Sequence, residues 1–204
     1  MAQGQRNLKK GRKRRLFCLF ALISAFHDVI FTSKYENMQV HQTLVLTHRQ
    51  IEQKIRRMAY EIYERNIEER QLLLAGISGM GFRLANLLAE ELRQHFSLEV
   101  EVSELRLDKA ARTQGDISIS SFSVAADSVC ILVDDVLNTG RTLAFAMKPF
   151  LGVPLKKLEL AVLVNRRHRC YPVSPDYTGL ALATTLNEHI HVDLSGPDYA
   201  VYLH

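Results

Sequence analysis

The stretch that decides the fold runs from Val129 to Thr142 and reads VCILVDDVLNTGRT. Val129 to Val133 are apolar without alternation, which predicts a strand buried on both faces of a parallel sheet. Asp134 and Asp135 follow at once. A polar turn containing Thr139 and Gly140 comes next, and Thr142 to Leu151 read as a helix. Cys130, inside the apolar run, is expected to be a small buried hydrophobe.

Two adjacent carboxylates at a strand end repel each other, and burial raises their pKa values. A structural role explains them poorly, so a hydroxyl, a divalent cation or a base should satisfy them. The two vicinal hydroxyls of a ribose can both donate to carboxylates, and Mg²⁺ prefers oxygen ligands shared with substrate phosphates. Asn138, Thr139, Gly140, Arg141 and Thr142 add backbone N–H groups, two hydroxyls and a helix start, a set that suits a phosphate monoester. Acceptors and cradle lie about one phosphoribosyl group apart.

The same strand, loop, helix grammar extends on both sides. Thr47 to Arg70 reads as one helix, capped by Thr47, with Ile51, Ile55, Met58, Ala59, Ile62 and Ile67 near the helical period. Gln71 to Ile77 predicts a buried strand, Ser78 to Gly81 a turn, and Phe82 to His95 a helix. Leu98 to Leu107 alternates as a strand, and 108–127 is polar and weakly patterned, a loop or an exposed hairpin. Leu158 to Val164 is another buried strand, ending in Asn165, Arg166, Arg167, His168 and Arg169; Ile190 to Leu194 and Ala200 to Leu203 look like short closing strands. This order predicts an α/β domain, a mostly parallel sheet with helices on both faces, with ligands beyond the carboxyl ends of the strands.

Charge separates residues 1–37 from the rest. They hold eight Lys/Arg and two acids, which leaves 18 basic and 20 acidic residues from Met38 onward and a body near −2. The pI therefore says little about nucleic acid. KKGRKRR at 9–15 followed by LFCLFALISAF at 16–26 has the shape of a secretory signal and is short for a membrane span. It is read as a signal or anchor, as sequence upstream of a start at Met38, or as an ordered arm, and the domain is placed at 38–204. Three cysteines, Cys18, Cys130 and Cys170, without metal-ligand spacing fit a reducing, cytoplasmic compartment. His168, His189 and His191 form no convincing metal set.

VCILVDDVLNTGRT resembles the 5-phosphoribosyl-1-pyrophosphate (PRPP) signature of type I phosphoribosyltransferases. RRMAYEIYERN at 56–66, LLLAGISGMGFRLANLLAEEL at 72–92 and LAVLVNRRHRCYPVSPDYTG at 160–179 resemble, more narrowly, the bifunctional pyrimidine-operon attenuator/uracil phosphoribosyltransferases. The likeness covers about residue 47 to the C-terminus. It implies a type I phosphoribosyltransferase fold with a small hood, and transfer of phosphoribosyl from PRPP to a nucleobase, uracil first. By the resemblance, Asp134 and Asp135 hold the ribose hydroxyls as the catalytic pair and 138–142 hold the 5-phosphate. Ser78, Gly79, Met80 and Gly81 form the pyrophosphate loop, and 106–117 belong to the hood. Val164, Asn165 and Arg166 lie near the base. Mg²⁺ bridges substrate oxygens, with Asp134 or Asp135 as its candidate protein ligand, and the assembly is a homodimer or larger.

Departures from that pattern sharpen the expectations. The family's pyrophosphate loop carries Thr–Arg–Gly where this chain has Gly79, Met80 and Gly81, and Arg83 is the nearest cation. Asn138 stands where purine enzymes place an Asp. A neutral amide is no strong base at pH 7, which points away from purines. The attenuators' RNA face more often has Thr and His where Arg56 and Tyr60 stand here. The cluster from Arg166 to Arg169 keeps phosphate contact open, so RNA is the secondary partner.

Overall fold

The computed structural model describes residues 42–107, 118–119, 126–185 and 188–204. The leader at 1–37 and nearly all of the 106–117 hood segment lie outside these residues. Strands β1 (Thr43–Leu46), β2 (Gln71–Ile77), β3 (Glu99–Arg106), β4 (Ser118–Ile119), β5 (Val129–Leu137), β6 (Lys157–Asn165), β7 (Tyr177–Ala181), β8 (Ile190–Asp193) and β9 (Ala200–Leu203) are joined by helices α1 (His48–Arg65), α2 (Met80–His95) and α3 (Arg141–Ala146). The larger sheet has the order β4-β3-β2-β5-β6-β7, parallel from β3 to β7 with β4 antiparallel at one edge. A second, antiparallel sheet, β1-β9-β8, brings the two ends of the domain together.

Two apolar clusters cover the faces of the large sheet. Leu72, Leu74, Ile131 and Val133 point into one, with Ile51, Ile55 and Met58 of α1 and Leu84, Leu88 and Leu92 of α2. Leu73, Ala75, Cys130 and Leu132 point into the other, with Leu143 and Ala146 of α3 and Phe150. Alternate residues of β2 and β5 thus serve opposite faces, and both faces are dry, which is why these strands read as unbroken apolar runs. Cys130 is fully buried, and burial pushes its thiol pKa up to about 12.

Helix α1 stops at Arg65 rather than Arg70. Asn66 Nδ2 donates to the carbonyl of Ile62 (3.0 Å), to Glu159 Oε2 (3.1 Å) and to the Tyr177 hydroxyl (3.2 Å), so its side chain takes over the last turn's acceptor and ties it to the sheet. Ile67, placed on the helix's apolar face by period alone, is 64% exposed beyond that end. At the other end, Gln50 Oε1 accepts from the Thr47 amide (2.9 Å) and hydroxyl (3.0 Å), one half of a capping box. Helix α2 begins at Met80, two residues early, and α3 ends at Ala146, giving way to turns at 147–152 in place of helix up to Leu151. Strands β1 and β7 carry no local signal in the sequence. No helix among the described residues is long and apolar enough to cross a membrane.

The chain passes from β2 outward to β3, then returns to the opposite side of β2 with β5. The strand order therefore reverses between β2 and β5, the place where open α/β sheets bind ligands beyond the carboxyl ends of their strands.

Candidate functional site

Strand β5 does not end at the acidic pair. Its ladder to β6 continues through Asp134↔Val162, Val136↔Val164 and Leu137↔Asn165, whereas its ladder to β2 ends at Gly76↔Val133. Past Val133, β5 therefore has a strand on one side only. On the other side lies the Ser78–Gly81 loop at the start of α2. The sheet presents Asp134 and Asp135 at the switch point because β2 is shorter than β6 there.

Asp134 is buried, 3% exposed, and its Oδ1 accepts from the Asp135 amide at 3.1 Å. Asp135 is half-buried. Gly81 packs so tightly on this pair that a Cβ would lie 2.9 Å from Asp134 Oδ1 and from the Val133 carbonyl oxygen. Gly79 adopts φ +88°, which favours glycine, and nothing lies within 4 Å of where its Cβ would be. The loop's backbone thus faces open space on one side and the acidic pair on the other. Ser78 is anchored by its amide to the Leu105 carbonyl (3.0 Å).

The turn after β5 is braced from outside. Gly140 sits at φ +83°, and a Cβ there would be 3.3 Å from Val173 Cβ. The Thr139 carbonyl accepts from the amides of Cys170 (2.9 Å) and Tyr171 (3.0 Å), and Thr139 Oγ1 accepts from the Arg141 amide (3.4 Å). Arg141 lays its guanidinium 5.6 Å from the Phe145 ring centroid. Together Asp134 and the run from Val136 to Leu143 line a hollow of about 250 Å³. All five residues expected of the phosphate cradle, Asn138 to Thr142, lie on its wall, with Asn138 exposed. The brace from 170–173 carries no local signal in the sequence, because nothing in its composition announces a loop that returns to another loop.

Val164 is fully buried in the core and Asn165 is 6% exposed, its Oδ1 accepting from the Arg167 amide (3.1 Å). Arg166 is 4% exposed. Its guanidinium donates to Thr184 Oγ1 (2.8 Å) and to the carbonyls of Thr185 (3.1 Å) and Glu188 (2.6 Å). The Glu188 carboxylate accepts from the Thr185 amide, which holds its pKa below the usual carboxylate range. The backbone of this strand end adjoins the hollow, since the Arg166 amide donates to the Leu137 carbonyl (3.0 Å). Arg167 and Arg169 are exposed and His168 is half-buried. On α1, Arg56 pairs with Glu91 (3.1 Å), and Tyr60 meets Phe96 edge-on with centroids 5.0 Å apart. His189 and His204 exchange backbone hydrogen bonds. Among the described residues no group of three or more His, Cys, Asp or Glu is placed to hold a metal.

Comparison with known proteins gives this arrangement a family. The model of the phosphoribosyl transferase domain matches residues 41–196. The bifunctional protein PyrR of Streptococcus pneumoniae, in strain CGSP14 and in strain TIGR4, is 38% identical over 152 residues, covering 72% of this chain and 87% of the relative. Among solved structures, the hypoxanthine phosphoribosyltransferase of Trypanosoma cruzi superposes with a TM-score of 0.64 at 18% identity, over 78% of this chain and 95% of that one. A hypoxanthine-guanine phosphoribosyltransferase from Bacillus anthracis gives 0.60 at 19% identity, over 72% and 86%. At that identity the two structures speak for the fold alone. The chain belongs to the phosphoribosyl transferase domain family, in the branch that holds the bifunctional protein PyrR.

Proposed function

We propose that the chain transfers the 5-phosphoribosyl group of PRPP to a pyrimidine, uracil first, and releases pyrophosphate. The observation that carries this reading is the continuity of β5 into the hollow. One strand carries Asp134 and Asp135, and Asp134 lines the same 250 Å³ as the turn residues Asn138 to Thr142 that follow two residues past the pair. In this reading the acidic pair accepts from the ribose hydroxyls, the turn's amides and hydroxyls take the 5-phosphate, and Ser78 to Gly81 take pyrophosphate. The base would lie near the strand end at Val164, Asn165 and Arg166, whose backbone adjoins the hollow through the Arg166 amide on the Leu137 carbonyl.

Displacement at C1 of ribose builds positive charge on the sugar and negative charge on the leaving group. Fixed dipoles aimed at those charges lower the barrier without a covalent nucleophile. Two adjacent carboxylates would suit a Mg²⁺ that draws most of its oxygens from substrate and water. When bound, the ion would neutralise charge on the departing pyrophosphate. Asn138 supplies no carboxylate to take a purine ring proton, which favours a pyrimidine. The working unit is residues 38–204, as a homodimer or larger assembly in the cytoplasm.

The test is turnover with Mg²⁺, PRPP and a panel of bases, with PRPP binding measured in parallel. Formation of UMP from uracil supports the reading; no turnover with any base together with no PRPP binding overturns it. A second reading, an RNA-binding attenuator with little catalysis, is favoured by the exposed Arg167 and Arg169 beside the site. It expects UMP-enhanced binding of pyrimidine-operon leader RNA that weakens steeply with salt, and it fails if no such binding exists at low salt.

A further inference from the structure

The loop that takes pyrophosphate in the proposed reading has no cation of its own, and the side chains that follow it are turned to another task. Leu194, just past β8, is fully buried. Its amide donates to the Met80 sulfur (3.4 Å), and its carbonyl accepts from Arg83 Nε (3.2 Å). Residues 80 and 83 are three apart on the first turn of α2 and so share one side of it. Both polar groups of one buried residue are therefore satisfied by the helix that begins at the Ser78–Gly81 loop. Without these partners they would be left unpaired in an apolar setting, which is costly.

The same region of the small sheet is held a second time, by the Tyr199 amide on His48 Nδ1 (3.0 Å) and by the Tyr199 and His48 rings, 4.7 Å apart. Asp193 is fixed by Ser195, whose hydroxyl donates to Oδ1 at 2.6 Å. The Leu194 peptide is thus a stiff anchor rather than a loose end. Gly81 fixes the other side of the loop against Asp134. Between these two points Gly79 leaves the backbone open, with nothing within 4 Å of its missing Cβ.

We propose that Met80 and Arg83 are positioning residues that clasp the Leu194 peptide and thereby hold the Ser78–Gly81 backbone in the shape that receives pyrophosphate. The proposal rests on the phosphoribosyltransferase reading and deepens it. A thioether at position 80 is an internal strut, so an arginine introduced there removes the acceptor of a buried amide and loosens the loop instead of improving it.

The experiment uses the full chain with Mg²⁺ and the variants Met80→Leu, Met80→Arg, Arg83→Gln and Arg83→Lys. It measures binding of pyrophosphate and of UMP by calorimetry, together with steady-state rates and hydrogen exchange at the Leu194 amide. Met80→Leu keeps about the packing volume and removes the sulfur that accepts from the Leu194 amide. Arg83→Gln and Met80→Arg should each weaken pyrophosphate binding about fivefold while UMP, which has no pyrophosphate, binds as before. Arg83→Lys, which keeps a cationic donor, should recover most of the loss, and Met80→Leu should speed exchange at Leu194 in a protein that is still folded. The clasp is overturned if Met80→Arg raises turnover, or if pyrophosphate and UMP weaken together, or if neither changes. Wild-type protein that binds neither PRPP nor pyrophosphate sinks the underlying reading as well; wild-type binding with unresponsive variants sinks the clasp alone.

Discussion

Gly81 and Asp134 are in contact where the strand order reverses between β2 and β5, with no room for a single methyl group between them. This contact joins the start of α2 to the acidic pair. A Gly81→Ala chain must push either the Asp134 carboxylate or the β5 backbone, because the Val133 carbonyl oxygen lies at the same 2.9 Å. Overpacking of this kind costs about 1–3 kcal/mol. Urea unfolding should show that loss, and PRPP binding should weaken with it; an unchanged midpoint would show that the loop can retreat freely.

Asp135→Asn replaces a charged acceptor by a neutral one of the same shape. Loss of a hydrogen bond to a charged group is worth roughly 1.5–3 kcal/mol, so kcat/KM for PRPP should fall tenfold or more with the fold intact. A rate within twofold of wild type would remove Asp135 from the ribose site.

Gly140→Ala tests the brace on the phosphate turn. The φ of +83° disfavours any side chain, and the added Cβ would press on Val173 and Tyr171. Strain of about 1 kcal/mol or more is expected, with a raised KM for PRPP and little change in the KM for the base. Equal changes in both would place the turn elsewhere.

Thiol reactivity should separate the two cysteines of the described residues. Cys130 is fully buried and its thiol is pushed up to about 12, so almost no thiolate exists at pH 8; Cys170 is exposed. In a Cys18→Ser chain, one thiol should react quickly with an aromatic disulfide under native conditions and the second only on unfolding. Two fast equivalents would contradict the packing of β5.

Acid should loosen the segment around β8. The Ser195 hydroxyl and amide hold the Asp193 carboxyl below the usual carboxylate range, and the Thr185 amide does the same for Glu188. Both folded pKa values are depressed. Their contribution to stability is therefore complete above the unfolded values near about 4 and is lost as pH falls through the lower folded values. Ser195→Ala should move the Asp193 titration upward in a carboxyl-resolved NMR experiment, and a static titration would contradict the assignment.

What could be read from the amino-acid order was whatever a residue announces through its near neighbours. The buried strands beginning at Gln71 and Val129, the apolar face of α1 from Ile51 to Ile62 and the acidic pair running into Thr139–Gly140 are all local patterns and were legible, although β5 runs on through the pair to Leu137 and Ile67 falls outside the helix. The short strands β1 and β7 were invisible because four or five residues become a strand only when a distant partner supplies their hydrogen bonds: Thr43 pairs with Leu203, and Tyr177 with Ala161. The end of α1 was misplaced because Asn66 closes the helix through Glu159 and Tyr177, about a hundred residues away. Site residues could be named in order, but their common place could not. That β2 ends at Ile77 while β5 and β6 run on, that Gly81 abuts Asp134, and that Met80 and Arg83 hold Leu194 are consequences of strand register and packing, which couple residues through space rather than along the chain.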